Sequence, residues 1–510
     1  MDKIKNICEK NKYTMCIFIG MLIFTTVICT NFIKTHFALD TYCVYLYDSQ
    51  ELISHFLLSN RIVSALARWI FDVLRIPLLV NMKILSIIGI LFLATAWFIL
   101  YKFIIRISNK QNNIFYNILI IGISFIIIYN FCSVECLAFW ESGIICFGIL
   151  CTVIAACLFN SNIKYNKLIT FIFVLLASIC YQGASICYQG AITLFIPLAL
   201  VFLAYKNKEI NKENIKRIVV ESIKVGIIYI IVMVINLVAT KIFSTVFNYE
   251  FRKIGALSIA EILHTIARLG TDMVIKTFGI LPKFIYALII SIISVIILLY
   301  IFRKKKSKFY ILEYIILIAS CILIPILPML ATPIESQYME SRMAISFGAS
   351  IGIALLFFIL VLEVYKFKCY KICSIIIICG MIMLNSMYYI IASSEMIATN
   401  YLDRNIAQEI NNEINKYETK TGIHIENIGL TFDKNITVNY DGQRWLGVIN
   451  TRSMATEWAA IETIELYSGK YYNQVEVPTK YQEEFAQKDW NYFDKEQLIF
   501  EENNLYICMY

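Results

Sequence analysis

The chain of 510 residues is 59% hydrophobic and 16% charged, with a mean hydropathy of +0.69 and a formal net charge of +8. Soluble proteins are about 45–50% apolar and about 25% charged. The composition excludes an ordinary soluble enzyme, a disordered chain and a nucleic-acid binder. Its apolar excess falls in runs long enough to span a bilayer, which predicts a polytopic membrane protein.

The N-terminal lysines Lys3, Lys5, Lys10 and Lys12 precede an apolar run from Tyr13 to Ile33. The run is too long for a signal-peptide core and no small-residue cleavage site follows, so a retained first span is expected. Further spans are expected near 84–105, 114–133, 142–159, 168–184, 187–204, 222–246, 280–302, 310–331, 343–365 and 372–392, eleven in all. Placing the N-terminus inside makes every short inner loop basic, from Arg106 and Lys110 through Lys206–Arg217 and Arg303–Lys306 to Lys366–Lys371. The long segments 34–80, 247–279 and 393–510 then share the outer face. Residues 393–510 hold 19 of the 37 acidic and 10 of the 45 basic residues, a net of −9 that leaves +17 on the first 392.

Two domains are thus expected: a helical membrane domain over 1–392, with outer loops 34–80 and 247–279, and an extracytoplasmic α/β domain over 393–510. In the second, Leu402, Ile406, Ile410 and Ile414 mark a helix over 401–418. Strands are expected at 423–431 and 435–440, and another helix at 453–467. The heptapeptide ASICYQG occurs twice in succession, at 177–183 and 184–190.

The first outer loop carries the densest chemistry. Asp40 lies about seven residues past the first span, and Asp48 follows. A carboxylate at the wet rim of a lipid-facing cavity is placed to take a proton from an acceptor hydroxyl; the alternative is a solvated loop aspartate. Residues 51–76 predict one amphipathic helix in the interface plane, with Ser54, Arg61, Arg68, Asp72 and Arg75 on one face. Arginine recognises phosphate bidentately, so a lipid-linked phosphate is one ligand for this face and bulk headgroups are the other. Glu135, Trp140 and Glu141 follow the third span, Glu261, His264, Arg268 and Asp272 share a helical face, and Glu335, Glu340 and Arg342 precede the tenth span. No histidine or cysteine spacing suggests a metal site. No Walker loop, GxSxG or HExxH is present.

This architecture resembles the type-II Gtr glucosyltransferases, polytopic members of the GT-C class. The residues that carry the resemblance are Asp40 in ALDTY, Asn60-Arg61 where the family commonly has Gly-Arg, and LAFWES at 137–142, with Glu141 where an aspartate is usual. They continue with Tyr-Gln at 181–182 and 188–189, and with Ser341-Arg342 where Pro-Arg is usual. The resemblance implies an inverting hexosyltransferase of the bacterial plasma membrane. It would move glucose or a related hexose from a polyprenyl-phosphate carrier to a cell-surface polysaccharide such as O-antigen, capsule or teichoic-acid-type polymer. Asp40 would be the general base. Arg61, Arg342, Arg68, Asp48, Glu141 and Gln182 would bind substrate. Many GT-C enzymes also use a divalent cation near the acidic loop. The competing readings are a flippase or transporter of lipid-linked sugars, an O-antigen-type polymerase or ligase, and a sensor that acts through its outer tail.

Overall fold

The structure, a computed structural model, describes residues 2–46, 49–58, 61–110, 113–180, 190–207, 212–246, 257–276, 285–302, 307–331, 334, 337–364, 370–444 and 446–510. It is mostly helical, with a small sheet near the C-terminus. The first stretch holds α1 (Asp2–Ile28), α2 (Leu39–Leu46), α3 (Ser49–Leu58), α4 (Ile62–Val73) and α5 (Leu78–Ser108). Then come α6 (Ile114–Ile128), α7 (Ser142–Phe159), α8 (Asn166–Cys180), α9 (Gly190–Thr193), α10 (Phe195–Lys206) and α11 (Lys212–Val246). The series ends with α12 (Ile259–Lys276), α13 (Ile285–Phe302), α14 (Ser307–Leu323), α15 (Ile345–Gly348), α16 (Ser350–Val364), α17 (Tyr370–Thr421), α18 (Glu457–Ser468) and α19 (Thr479–Phe485). Contacts divide the chain into two compact units. One comprises residues 1–33, 53–137 and 141–390; the other comprises 34–52, 138–140 and 391–510.

Among the described residues, five helical segments are long and apolar enough to cross a bilayer: Leu78–Ser108, Ser142–Phe159, Lys212–Ala239, Ile285–Phe302 and Ile375–Thr421. Helix α11 exposes Ile223, Ile227, Ile230 and Val234, and α13 exposes Leu288, Ile292, Val295 and Leu299. Contiguous apolar faces of this kind are rare on soluble monomers and mark surfaces that meet lipid or protein. Helices α5 and α7 run side by side, because Gly143 and Gly89 let their backbones approach. A methyl group on Gly143 would meet the Leu85 carbonyl oxygen at 2.7 Å. The single amphipathic helix expected over 51–76 is instead two, α3 and α4, with Arg61 at the N-cap of α4. Helix α4 is amphipathic as expected: Leu66, Trp69, Ile70 and Val73 face out, while Ser64 and Arg68 are buried.

The second unit is built on a four-stranded sheet of β1 (Asn427–Phe432), β2 (Asn473–Val475), β3 (Leu498–Glu501) and β4 (Asn504–Met509) in the order β2-β1-β4-β3. Strand β1 is parallel to β2 and β4, and β3 closes on β4 as an antiparallel hairpin. Ile406, Ile410 and Ile414 of α17 pack with Ile428, Ile464, Leu505 and Ile507 in one core. The expected helix at 453–467 is α18, and the strand at 423–431 is β1. Residues 435–440 form no strand: a turn at 434–435 leads into irregular chain with a bend at 438–439. There Asp433 accepts the Asn435 amide at its side chain and the Ile436 amide at its carbonyl, an Asx-type turn that competes with a ladder. Helix α2 packs on α18. Asn400 fixes the segment ahead of α2: its Oδ1 accepts the Phe37 amide and its Nδ2 donates to the Phe37 carbonyl, both at 2.8 Å.

Asp403 anchors this unit. It is fully buried and accepts hydrogen bonds from Tyr440 Oη (2.7 Å), Ser453 N (2.9 Å) and Ser453 Oγ (2.8 Å). Burial pushes its carboxyl up, and the Tyr440 and Ser453 bonds and the Arg452 charge pull it back. Arg452 itself is sandwiched between the rings of Tyr440 and Tyr510. Asp403→Ala leaves the Ser453 amide and the Tyr440 hydroxyl unpaired, so it should cost about 3 kcal/mol. Circular-dichroism melting of the purified variant checks this; a melting curve like the wild type's would contradict it.

Candidate functional site

The site in the first unit grows from the turn between α6 and α7. Residues 130–137 and Glu141 are all buried. Asn130 organises the start of the turn: its Oδ1 accepts the amides of Cys132 (3.0 Å) and Ser133 (3.2 Å). Ser133 Oγ lies 2.7 Å from Tyr389 Oη. The turn thereby carries two carboxylates inward, and each meets an arginine.

Glu141, at the N-cap position of α7, accepts Arg61 Nη1 at 2.9 Å on one oxygen and Ser64 Oγ at 2.6 Å on the other. The side chains of Arg61 and Glu141 are 15% and 6% exposed. The positive end of the α7 dipole also favours a carboxylate there. Glu135 is held on both oxygens, one by the Arg342 guanidinium and the other by Ser341 Oγ and the Arg342 amide. Gly190 allows the 341–343 segment to sit where it does, because a methyl group at 190 would overlap the Arg342 carbonyl oxygen. Arg68 pairs with Asp72 at 2.9 Å along α4.

The sequence pattern singled out Arg61, Glu141, Arg342 and Arg68, and the structure joins the first two directly. Arg342 is enclosed, with its charge answered by Glu135. Asp48 and Gln182 lie outside the described residues, as do Asn60 and both Tyr-Gln pairs. Asp40 belongs to the second unit and opens α2. It is exposed, whereas His36–Leu39 before it and Thr41 and Tyr42 after it are buried. Its electrostatic neighbour is Glu462 of α18, whose carboxyl is pushed up to about 7 by burial first, then by the charges of Glu465 and Asp40. Glu462 Oε2 has no hydrogen-bond partner among the described residues. Glu465, by contrast, accepts the Tyr472 amide at 2.8 Å.

Sequence reasoning missed Ser64, Asn81 and Glu462. Ser64 lies one helical turn beyond Arg61, a spacing that places both on one face of α4. Asn81 is fully buried at the start of α5, one turn before Leu85 on the stripe that packs against α7, and neither of its amide atoms has a partner among the described residues. Its signal was a lone amide opening an apolar helix. Glu462 gave no signal, since it is one of many acidic residues in its segment. Two other charged groups make bonds within the fold. Glu261 forms reciprocal capping bonds with Ser258 at the start of α12, and Arg268 holds Gln337 at 2.9 Å. Among the described residues no group of three or more His, Cys, Asp or Glu gathers as a metal site. No protein-family model, curated protein or solved structure matches the chain.

Two measurements test these assignments. Removing one partner of the buried pair, as in Arg342→Met, should cost about 3–5 kcal/mol because Glu135 is left charged and alone. Replacing both residues by methionine should cost much less than the sum of the two single changes, as read by melting in detergent. An additive pair would contradict a buried ion pair.

Glu462 makes a pH prediction. Its pKa is about 7 in the folded chain against 4.5 for an unperturbed glutamate. Between those values the folded state binds more protons than the unfolded, so stability falls as pH rises through that window and levels off above it. Glu462→Gln should therefore melt later than the wild type at pH 8, by about 1 kcal/mol once its partial exposure is discounted. At pH 4.5 the two should melt together. Equal melting at both pH values would contradict the raised pKa.

Proposed function

We propose that this chain is an inverting hexosyltransferase of the bacterial plasma membrane, with eleven spans, a cytoplasmic N-terminus and an extracytoplasmic C-terminal unit. It moves glucose or a related hexose from a polyprenyl-phosphate carrier to a cell-surface polysaccharide. The observation that carries the reading is Asp40. One carboxylate is open to solvent while the residues on both sides of it are packed into a rigid support. A general base needs that combination: a fixed position and access from solvent.

In this reading the acceptor hydroxyl attacks the anomeric carbon and Asp40 takes its proton. The bond from that carbon to the phosphate oxygen breaks, and the carrier phosphate leaves with the electron pair. Glu462, protonatable near neutrality beside Asp40, holds the acidic pair from carrying two full charges. Arg61 is the phosphate-facing cation. It is partly exposed and held from behind by Glu141, so its guanidinium is oriented before the lipid arrives. Arg342 serves the turn, because an anion reaching it would have to displace Glu135. The exposed apolar faces of α11 and α13 support immersion in lipid, and the basic loops support the orientation.

Purified chain, labelled polyprenyl-phosphate hexose and a polysaccharide acceptor should together give labelled product. Asp40→Asn should slow transfer by about 10²- to 10⁴-fold without moving the melting temperature. Near-normal transfer by Asp40→Asn would end the assignment of the base. Movement of the carrier across vesicles without any transfer would identify a flippase instead.

A further inference from the structure

At the other end of α7 from Glu141, some 27 Å away by the rise of an 18-residue helix, lies a cavity of about 740 Å³ between the C-terminal ends of α5, α7 and α10. Its wall carries two cations, Arg106 and Lys206, and a ring of amides that includes Asn109, Asn160, Asn162 and Asn207. No carboxylate lines it among the described residues. Lys206 Nζ is aimed by the Asn162 side chain at 2.9 Å and the Asn160 carbonyl at 3.2 Å. Asn160 is only 5% exposed, and its Nδ2 is committed to the carbonyls of Ala156 and Ala199. That fixes the orientation of the amide and leaves Oδ1 as an acceptor with no partner among the described residues. The full charges of Arg106 and Lys206 outweigh the partial negative ends of the three helices, so the cavity offers positive charge for an anion and a buried acceptor for a hydroxyl.

A second groove, of about 630 Å³, shares the wall formed by Phe103 and Arg106. It runs along α5 past Phe98 and Ile99 toward Tyr13 of α1, and its lining is largely apolar. A charged, amide-rich cavity joined through one arginine to an apolar groove has the amphipathic shape of a phospholipid. Arg106 stands at the junction, where the phosphate of such a lipid lies. Basic pockets between membrane helices on the cytoplasmic side are established places for anionic headgroups.

We propose that this cavity binds a phosphate-bearing headgroup that also carries hydroxyls, and that its source is an anionic phospholipid of the phosphatidylglycerol class. Arg106 and Lys206 meet the phosphate, Asn160 Oδ1 accepts a glycerol hydroxyl, and the Phe98–Phe103 groove holds an acyl chain. The site is separate from Asp40, Arg61 and Glu141. It rests on the membrane part of the proposed function and not on the transfer reaction.

The test is native mass spectrometry of the full chain in detergent, titrated with phosphatidylglycerol, phosphatidylcholine or glycerol 1-phosphate. Recovery of the chain from the membrane fraction is read first, so failure of the membrane reading shows before any lipid is added. Phosphatidylglycerol should bind wild type and Asp40→Asn alike, and phosphatidylcholine at least about tenfold more weakly. Arg106→Gln with Lys206→Gln should weaken phosphatidylglycerol about tenfold or more, the loss of charge-assisted contacts. Asn162→Asp should do the same, since it places a carboxylate on Lys206 and leaves the buried side chains untouched. Equal binding of the two lipids, or full binding by both variants, would overturn the proposal. Displacement of the lipid by equimolar glycerol 1-phosphate would show a soluble phosphate site and overturn the lipid assignment.

Discussion

A buried charge must be answered within the chain, and two such answers organise the first unit. Glu135 and Glu141 stand six residues apart on one enclosed turn, and both are buried. Each therefore draws an arginine from elsewhere in the sequence: Arg342 from the segment before α15 and Arg61 from the start of α4. The cost of leaving either partner alone is several kcal/mol, far more than a surface ion pair contributes. The turn, α4 and the 341–343 segment are consequently positioned as one group. Gly190 and Gly143 permit the close approaches that this arrangement needs.

The two pairs differ in what they leave for chemistry. Arg342 is enclosed, with its charge answered by Glu135. Arg61 is partly exposed, and Glu141, itself held by Ser64, fixes its guanidinium. Asn81 adds a buried amide with neither hydrogen-bonding atom satisfied among the described residues. An unsatisfied buried amide costs stability.

The second unit solves a different problem. Its core is carried by the apolar stripe of α17 and the central strands β1 and β4. Residues 37–46 are tied into that core by Asn400 and by α2 on α18. Asp40 is therefore part of a folded domain and not of a free loop. Burial is what chiefly raises the proton affinity of Glu462, followed by the charge of Glu465, and packing of α2 against α18 adds that of Asp40.

Helix content, apolar runs, the acidic C-terminal segment and the core stripe Ile406, Ile410 and Ile414 were legible in the sequence, because each is a local property set by period and composition. Arg61, Glu141 and Arg342 were also visible, as charges bordering apolar runs. Their partners were not. Whether Arg342 faces a ligand or Glu135 depends on a contact across 207 residues, and no local pattern encodes it. The turn at 434–435 escaped because Asp433 competes with the strand ladder through its own side chain. The hairpin of β3 and β4 escaped because short apolar runs look alike until a neighbour pairs with them. Period and hydropathy act over a few residues and so can be read along the chain. Charge pairing, close backbone approach and strand order are settled only where distant segments meet, and that meeting is the tertiary structure's alone.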